Sequence, residues 1–117
     1  MSNKSIIAAL FALPIVITQA SAHATLDHSD PRVGNTVKSS PSAVTLWFTQ
    51  KLEPAFSTIT VTNDAGERVD SGKTSVSGSQ MSVALRSGGA GTYHVKWRVL
   101  SADTHTTDGS FTFQVGQ

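Results

Sequence analysis

Apolar and polar residues alternate one by one along stretch after stretch of this chain, and no window carries the stripe of an amphipathic helix. Such a pattern restricts the fold to sheets, because successive side chains on a strand point to opposite faces and each stretch has one face to bury. Val44, Leu46 and Phe48 share a face, and Ile59 and Val61 are interleaved with Thr58, Thr60 and Thr62. Met81, Val83 and Leu85 alternate with Ser82 and Ala84. Tyr93, Val95, Trp97 and Val99 alternate with His94, Lys96 and Arg98, and Phe111, Phe113 and Val115 with Thr112 and Gln114. A short first strand is predicted over residues 25–28. Turn signals separate these runs: Asp30-Pro31, Gly34-Asn35, Ser40-Pro41, Asn63 to Gly66, Ser77-Gly78 and the glycine-rich residues 87–91. Short strands with regular turns predict a single all-β domain, a sandwich or barrel. Trp97 and the phenylalanines are expected in its core, with Trp47 turned away to cover an edge or a loop.

The N-terminus reads as an export signal. Lys4 supplies the positive start, residues 6–17 are mostly apolar, and Ala20-Ser21-Ala22 closes the segment in an A-x-A pattern. A spanning helix needs about 20 apolar residues; this run is shorter and contains Pro14. Cleavage after Ala22 is therefore expected, with residues 1–22 removed and residues 23–117 forming the mature domain in the periplasm. The mature chain then has 117 − 22 = 95 residues. It carries 9 − 1 = 8 basic side chains against 8 acidic ones, which argues against a nucleic-acid binder. No second apolar run follows, so no membrane span is expected in the mature chain. With no cysteine, any metal site has to be built from nitrogen and oxygen.

Cleavage at that point exposes His23 as the first residue, with its amine beside its imidazole. Those two nitrogens can clasp one metal ion. Further along, Asp103 and His105 stand two apart; in an extended segment such residues point the same way, about 6–7 Å apart at the backbone. Together these groups supply three nitrogens and one oxygen, a set that suits Cu(II) in tetragonal geometry and that Zn(II) also accepts. Taken singly, each piece has an ordinary explanation: Asp103 as a turn cap, His105 as a solvated loop residue. Each supplies what the other lacks.

The start His23-Ala24-Thr25-Leu26 with Ser29-Asp30-Pro31 resembles the CopC family of periplasmic copper-binding proteins. So do Leu46-Trp47-Phe48-Thr49 with the segment from Leu52 to Ser57, the run from Gly91 to Val99, and Ser101-Ala102-Asp103-Thr104-His105 with Gly109, Phe111 and Val115. The resemblance spans nearly the whole mature domain. It implies a seven-stranded Greek-key β-sandwich of immunoglobulin-like or cupredoxin-like kind, and a site for one Cu(II) per chain at His23, Asp103 and His105. It also implies a membrane copper importer, or another periplasmic copper protein, as partner. Two departures from the family stand out. After cleavage Met81 is the one methionine left, so no Met-rich Cu(I) site is expected, because soft Cu(I) wants several sulfurs. Where some members carry an acidic residue near the copper, this chain has Gln50, expected to play a minor, hydrogen-bonding part.

The other polar residues read more plainly. His28 is expected at the surface near the first strand and His94 on a solvated face, while Asp108-Gly109 reads as a turn. No Ser/His/Asp order or cysteine nucleophile points to catalysis, and the chain is read as a non-enzyme that stores, buffers or delivers copper in copper homeostasis or resistance. The competing readings are a small copper enzyme resembling the lytic polysaccharide monooxygenases, and a metal-free β-sandwich interaction module. The first needs a substrate face for which a chain this short has little room. The second rests on fold alone.

Overall fold

A computed structural model of the chain describes residues 24–116. The export signal, its cleavage point after Ala22 and His23 lie outside the described residues. The domain is a sandwich of two four-stranded sheets. Its strands are β1 (Leu26–Asp30), β2 (Thr36–Val37), β3 (Ala43–Phe48), β4 (Thr58–Thr62), β5 (Asp70–Ser77), β6 (Gln80–Leu85), β7 (Gly91–Leu100) and β8 (Thr106–Val115), with a 3-10 turn at Pro54–Phe56. One sheet runs β1-β3-β6-β5 and the other β2-β8-β7-β4, so the chain crosses between sheets at β1–β2, β2–β3, β3–β4, β4–β5 and β6–β7. All neighbours are antiparallel except β2, which pairs parallel with β8 over two residues. This two-residue edge strand brings the number of strands to eight, one more than expected.

The alternation maps onto the core. Val44, Leu46 and Phe48 from β3, Ile59 and Val61 from β4, Met81 and Val83 from β6, Tyr93, Val95 and Val99 from β7, and Phe111, Phe113 and Val115 from β8 are all buried. Trp97 is only partly buried and meets Phe48 edge-on, with ring centroids 5.0 Å apart. Phe56 departs from the expected core and is 65% exposed on the 3-10 turn. Trp47 does face away, stacked on His28 with centroids 4.4 Å apart and planes 6° from parallel.

Two strands escaped the sequence reading, and β8 is longer than expected. β5 reads Asp-Ser-Gly-Lys-Thr-Ser-Val-Ser, mostly exposed, because as an edge strand it needs pairing on one side only. Its anchor is Asp70, 2% exposed. Asp70 Oδ2 accepts from Val61 N (2.8 Å) and Arg68 Nε (3.0 Å), and Oδ1 accepts from Arg68 Nη2 and Gly72 N (both 2.8 Å). Burial works to raise the Asp70 pKa, but the bonds from Arg68, Val61 and Gly72 outweigh it and hold the carboxyl below its usual value. β8 begins at Thr106, directly after His105, so Asp108-Gly109 lies inside a strand and is not a turn: Gly109 pairs with Trp97, and Asp108 with Arg98. This half of β8 has no large apolar residue: its half-buried positions are Thr107 and Gly109, while Thr106, Asp108 and Ser110 are exposed, so it carries no apolar alternation.

Candidate metal centre

β7 and β8 form a hairpin whose last pair is Leu100 with Thr106, so residues 101–105 make the connection. The segment is not extended. Thr104 has φ of +75°, a left-handed conformation uncommon for a side chain branched at Cβ, and its N–H donates to the Ser101 carbonyl at 2.8 Å. This tight reversal, rather than the two-residue spacing of a strand, brings the side chains of Asp103 and His105 together. Asp103 Oδ1 and His105 Nδ1 are 3.3 Å apart, with the side chains 42% and 48% exposed. A carboxylate and an imidazole thus stand together at an open hairpin tip.

Ser101 organises the turn, and the sequence reading did not single it out. It is fully buried, at 0% exposure. Its N–H donates to the His105 carbonyl at 2.9 Å. Its hydroxyl donates to Asp103 Oδ1 in a short hydrogen bond and accepts from His105 N at 3.3 Å. The Ser101 bond is the main reason that the Asp103 carboxyl sits below its ordinary pKa; slight burial opposes it, and the bond and charge of His105 add to it. Asp103 is therefore ionised at neutral pH, as a ligand must be. The S-x-D-x-H spacing was visible in the sequence. That the serine turns inward depends on the hairpin.

The loop after β3 lies against the same turn. Leu52 bridges Ser101, Glu53 N donates to the Leu100 carbonyl (2.8 Å), and Ala102 N donates to the Lys51 carbonyl (2.8 Å). Gln50 is half-buried at the start of this loop. The beginning of the described chain is held at the same end of the sandwich. Ala24 is 1% exposed, and its carbonyl accepts from Thr107 Oγ1 at 2.9 Å.

Among the described residues no group of three or more His, Asp or Glu side chains comes together to hold a metal ion. Asp103 and His105 form a pair, and the third expected ligand, His23, lies outside the described residues. His28 is engaged elsewhere, with Nδ1 2.7 Å from Asp27 Oδ2 and its ring on Trp47. His94 is exposed, with Nε2 3.9 Å from Asp64 Oδ1. Met81, 1% exposed, is a core residue. A shallow depression of about 340 Å³ on the second sheet, lined by Thr58, Lys96, Arg98 and Asp108 among others, includes neither Asp103 nor His105; a bare ion held by converging side chains needs no such cavity.

Known proteins resemble this chain along most of its length. The CopC domain family matches residues 26–116. The chain is 31% identical to the copper transport protein CutJ of Bacillus subtilis (strain 168) over 98% of its own length, yet spans 22% of that longer protein. It is 34% identical to copper resistance protein C of Xanthomonas campestris pv. juglandis, covering 91% of this chain and 90% of that one. Among solved structures it is similar to PcoC, a methionine-rich copper resistance protein from Escherichia coli, with a TM-score of 0.71 and 31% identity over 80% of this chain and 99% of that one.

Proposed function

This chain belongs to the CopC domain family, and on that premise we propose that it is an exported periplasmic protein that chelates one Cu(II) through His23, Asp103 and His105. The observation that carries this reading is the 3.3 Å approach of Asp103 and His105 on the hairpin whose Thr107 also holds the Ala24 carbonyl. His23 is joined to Ala24, and consecutive Cα atoms are about 3.8 Å apart. Thr107 follows His105 by two residues, about 7 Å along a strand. These spacings support the reading that a chain starting at His23 can bring it to the pair. The amine and imidazole of His23, the His105 imidazole and the Asp103 carboxylate make a nitrogen-rich set suited to Cu(II).

Chelation of this kind stores, buffers or hands on copper and requires no turnover, so we assign the protein no enzymatic activity. The names of its relatives, copper resistance and copper transport, support that assignment. We also assign it no thioether Cu(I) site, since Met81 is in the core. A membrane copper importer is the partner class we favour, because one relative is a longer copper transport protein of which this chain matches 22%.

Mass spectrometry of the exported protein should give a start at His23. The processed protein should take up one Cu(II), with nitrogen couplings in its electron paramagnetic resonance spectrum. One residue added before His23 converts the amine to an amide and should weaken binding sharply. Equal affinity for the extended and processed proteins would overturn the assignment. Vigorous reductant-dependent peroxide production would overturn the non-enzymatic part.

A further inference from the structure

We propose that Thr107 is a positioning residue that holds the start of the mature chain in place before metal arrives. This rests on the Cu(II) reading above. Ladder pairing of β1 with β3 begins at Leu26, yet the two residues before it are firmly held. The Ala24 side chain is buried in the core, and its carbonyl accepts from the Thr107 hydroxyl at 2.9 Å. Thr25 N donates to Thr49 Oγ1 at 3.0 Å, and Thr49 N donates to the Thr25 carbonyl at 2.9 Å. Thr107 belongs to β8 of one sheet, and Thr49 directly follows β3 of the other. Residues 24–25 are thus fastened to both sheets at the end that carries Asp103 and His105.

The arrangement has a consequence for affinity. A chain terminus is ordinarily poorly ordered unless tied down, and a ligand on a loose terminus binds with an affinity reduced by the fraction of time it spends in place. Thr49 fixes residue 25 through its main chain as well as its hydroxyl. Thr107 reaches the Ala24 carbonyl, part of the residue joined to His23, by side chain alone. Its hydroxyl can therefore be removed to loosen the start of the chain without altering the hairpin backbone.

The test uses the processed protein with Thr107→Val, which keeps the shape and loses the hydroxyl, and Thr107→Ser, which restores it. Val83→Ala, a core change in β6, serves as a control for general loss of stability. Thr107→Val should weaken Cu(II) binding about five- to tenfold in a chelator competition, alter the nitrogen couplings, and speed amide exchange of Thr25 in the metal-free protein. Thr107→Ser should recover the affinity to within about twofold, and Val83→Ala should lower the melting temperature with little effect on affinity. Unchanged Thr25 exchange in metal-free Thr107→Val overturns the proposal whatever the outcome with copper. So does unchanged Cu(II) affinity of that variant, or an equal loss in Val83→Ala. Failure of the unaltered processed protein to bind Cu(II) would instead overturn the Cu(II) reading, and with it the role of Thr107 in affinity.

Discussion

The hydroxyl of Ser101, buried completely, is bonded to the carboxylate of Asp103 at the exposed tip of the β7–β8 hairpin. A side chain with no access to solvent thereby holds one that is 42% exposed. The same hydroxyl accepts from the His105 amide, so one atom orients both members of the pair.

Ser101→Ala is expected to weaken Cu(II) binding by about ten- to a hundredfold, the usual cost of losing a group that orients a ligand. The Asp103 pKa should rise toward its ordinary value, because the Ser101 bond is the largest influence lowering it. Chelator competition and NMR titration of the Asp103 carboxyl check the two effects separately. Unchanged affinity would show that Asp103 is held adequately without the serine.

His105→Ala and Asp103→Ala should each remove most Cu(II) affinity, whereas Gln50→Ala should cost far less. Gln50 is half-buried in the adjoining loop and has no charge to offer. Isothermal titration of the three variants ranks them, and a Gln50→Ala loss as complete as that of His105→Ala would contradict the one-carboxylate site. Binding should also weaken as pH falls through about 8, the range in which a terminal amine is protonated.

Asp70→Asn should destabilise the fold by about 2–3 kcal/mol, short of the ~3–5 kcal/mol for a fully buried pair, since the Arg68 side chain is 56% exposed. The folded-state pKa of Asp70 is depressed. Its contribution is therefore fully present above the unfolded value of about 3.9 and is lost as pH falls through the lower folded value. Urea unfolding at neutral pH and below about pH 4 should show the gap between wild type and variant narrowing in acid. A constant gap would mean that the charge of Asp70 is immaterial.

Gly109→Ala should cost about 1–3 kcal/mol, the range for overpacking a filled site. A Cβ there would lie 2.5 Å from Trp97 Cζ2 and 2.9 Å from Cε2. The indole would have to leave its edge-on contact with Phe48. Thermal unfolding measures the loss, and a shift in tryptophan fluorescence should accompany it.

Much of the sandwich could be read from apolar spacing. Val44, Leu46, Ile59, Val61, Val95 and Phe113 are buried as their alternation predicts. β5 could not be read this way, because an edge strand of serine, glycine and lysine is held by backbone pairing and by Asp70, neither of which leaves an apolar signature. Asp103 and His105 were visible as a motif, but the expected reason for their meeting was an extended segment, and the actual one is a turn through Thr104.

The order of residues alone determined most of the apolar core, that thiolate chemistry is excluded, and that a carboxylate and an imidazole stand two apart. Those properties follow from residue type and from the two-residue period of a strand. Tertiary structure decided that Ser101 turns inward to grip Asp103 and that Thr107 meets Ala24, a partner 83 positions away. Ser101 is buried because the distant loop carrying Leu52 pairs with it, and Thr107 reaches Ala24 only once the two sheets have packed; no local pattern encodes either.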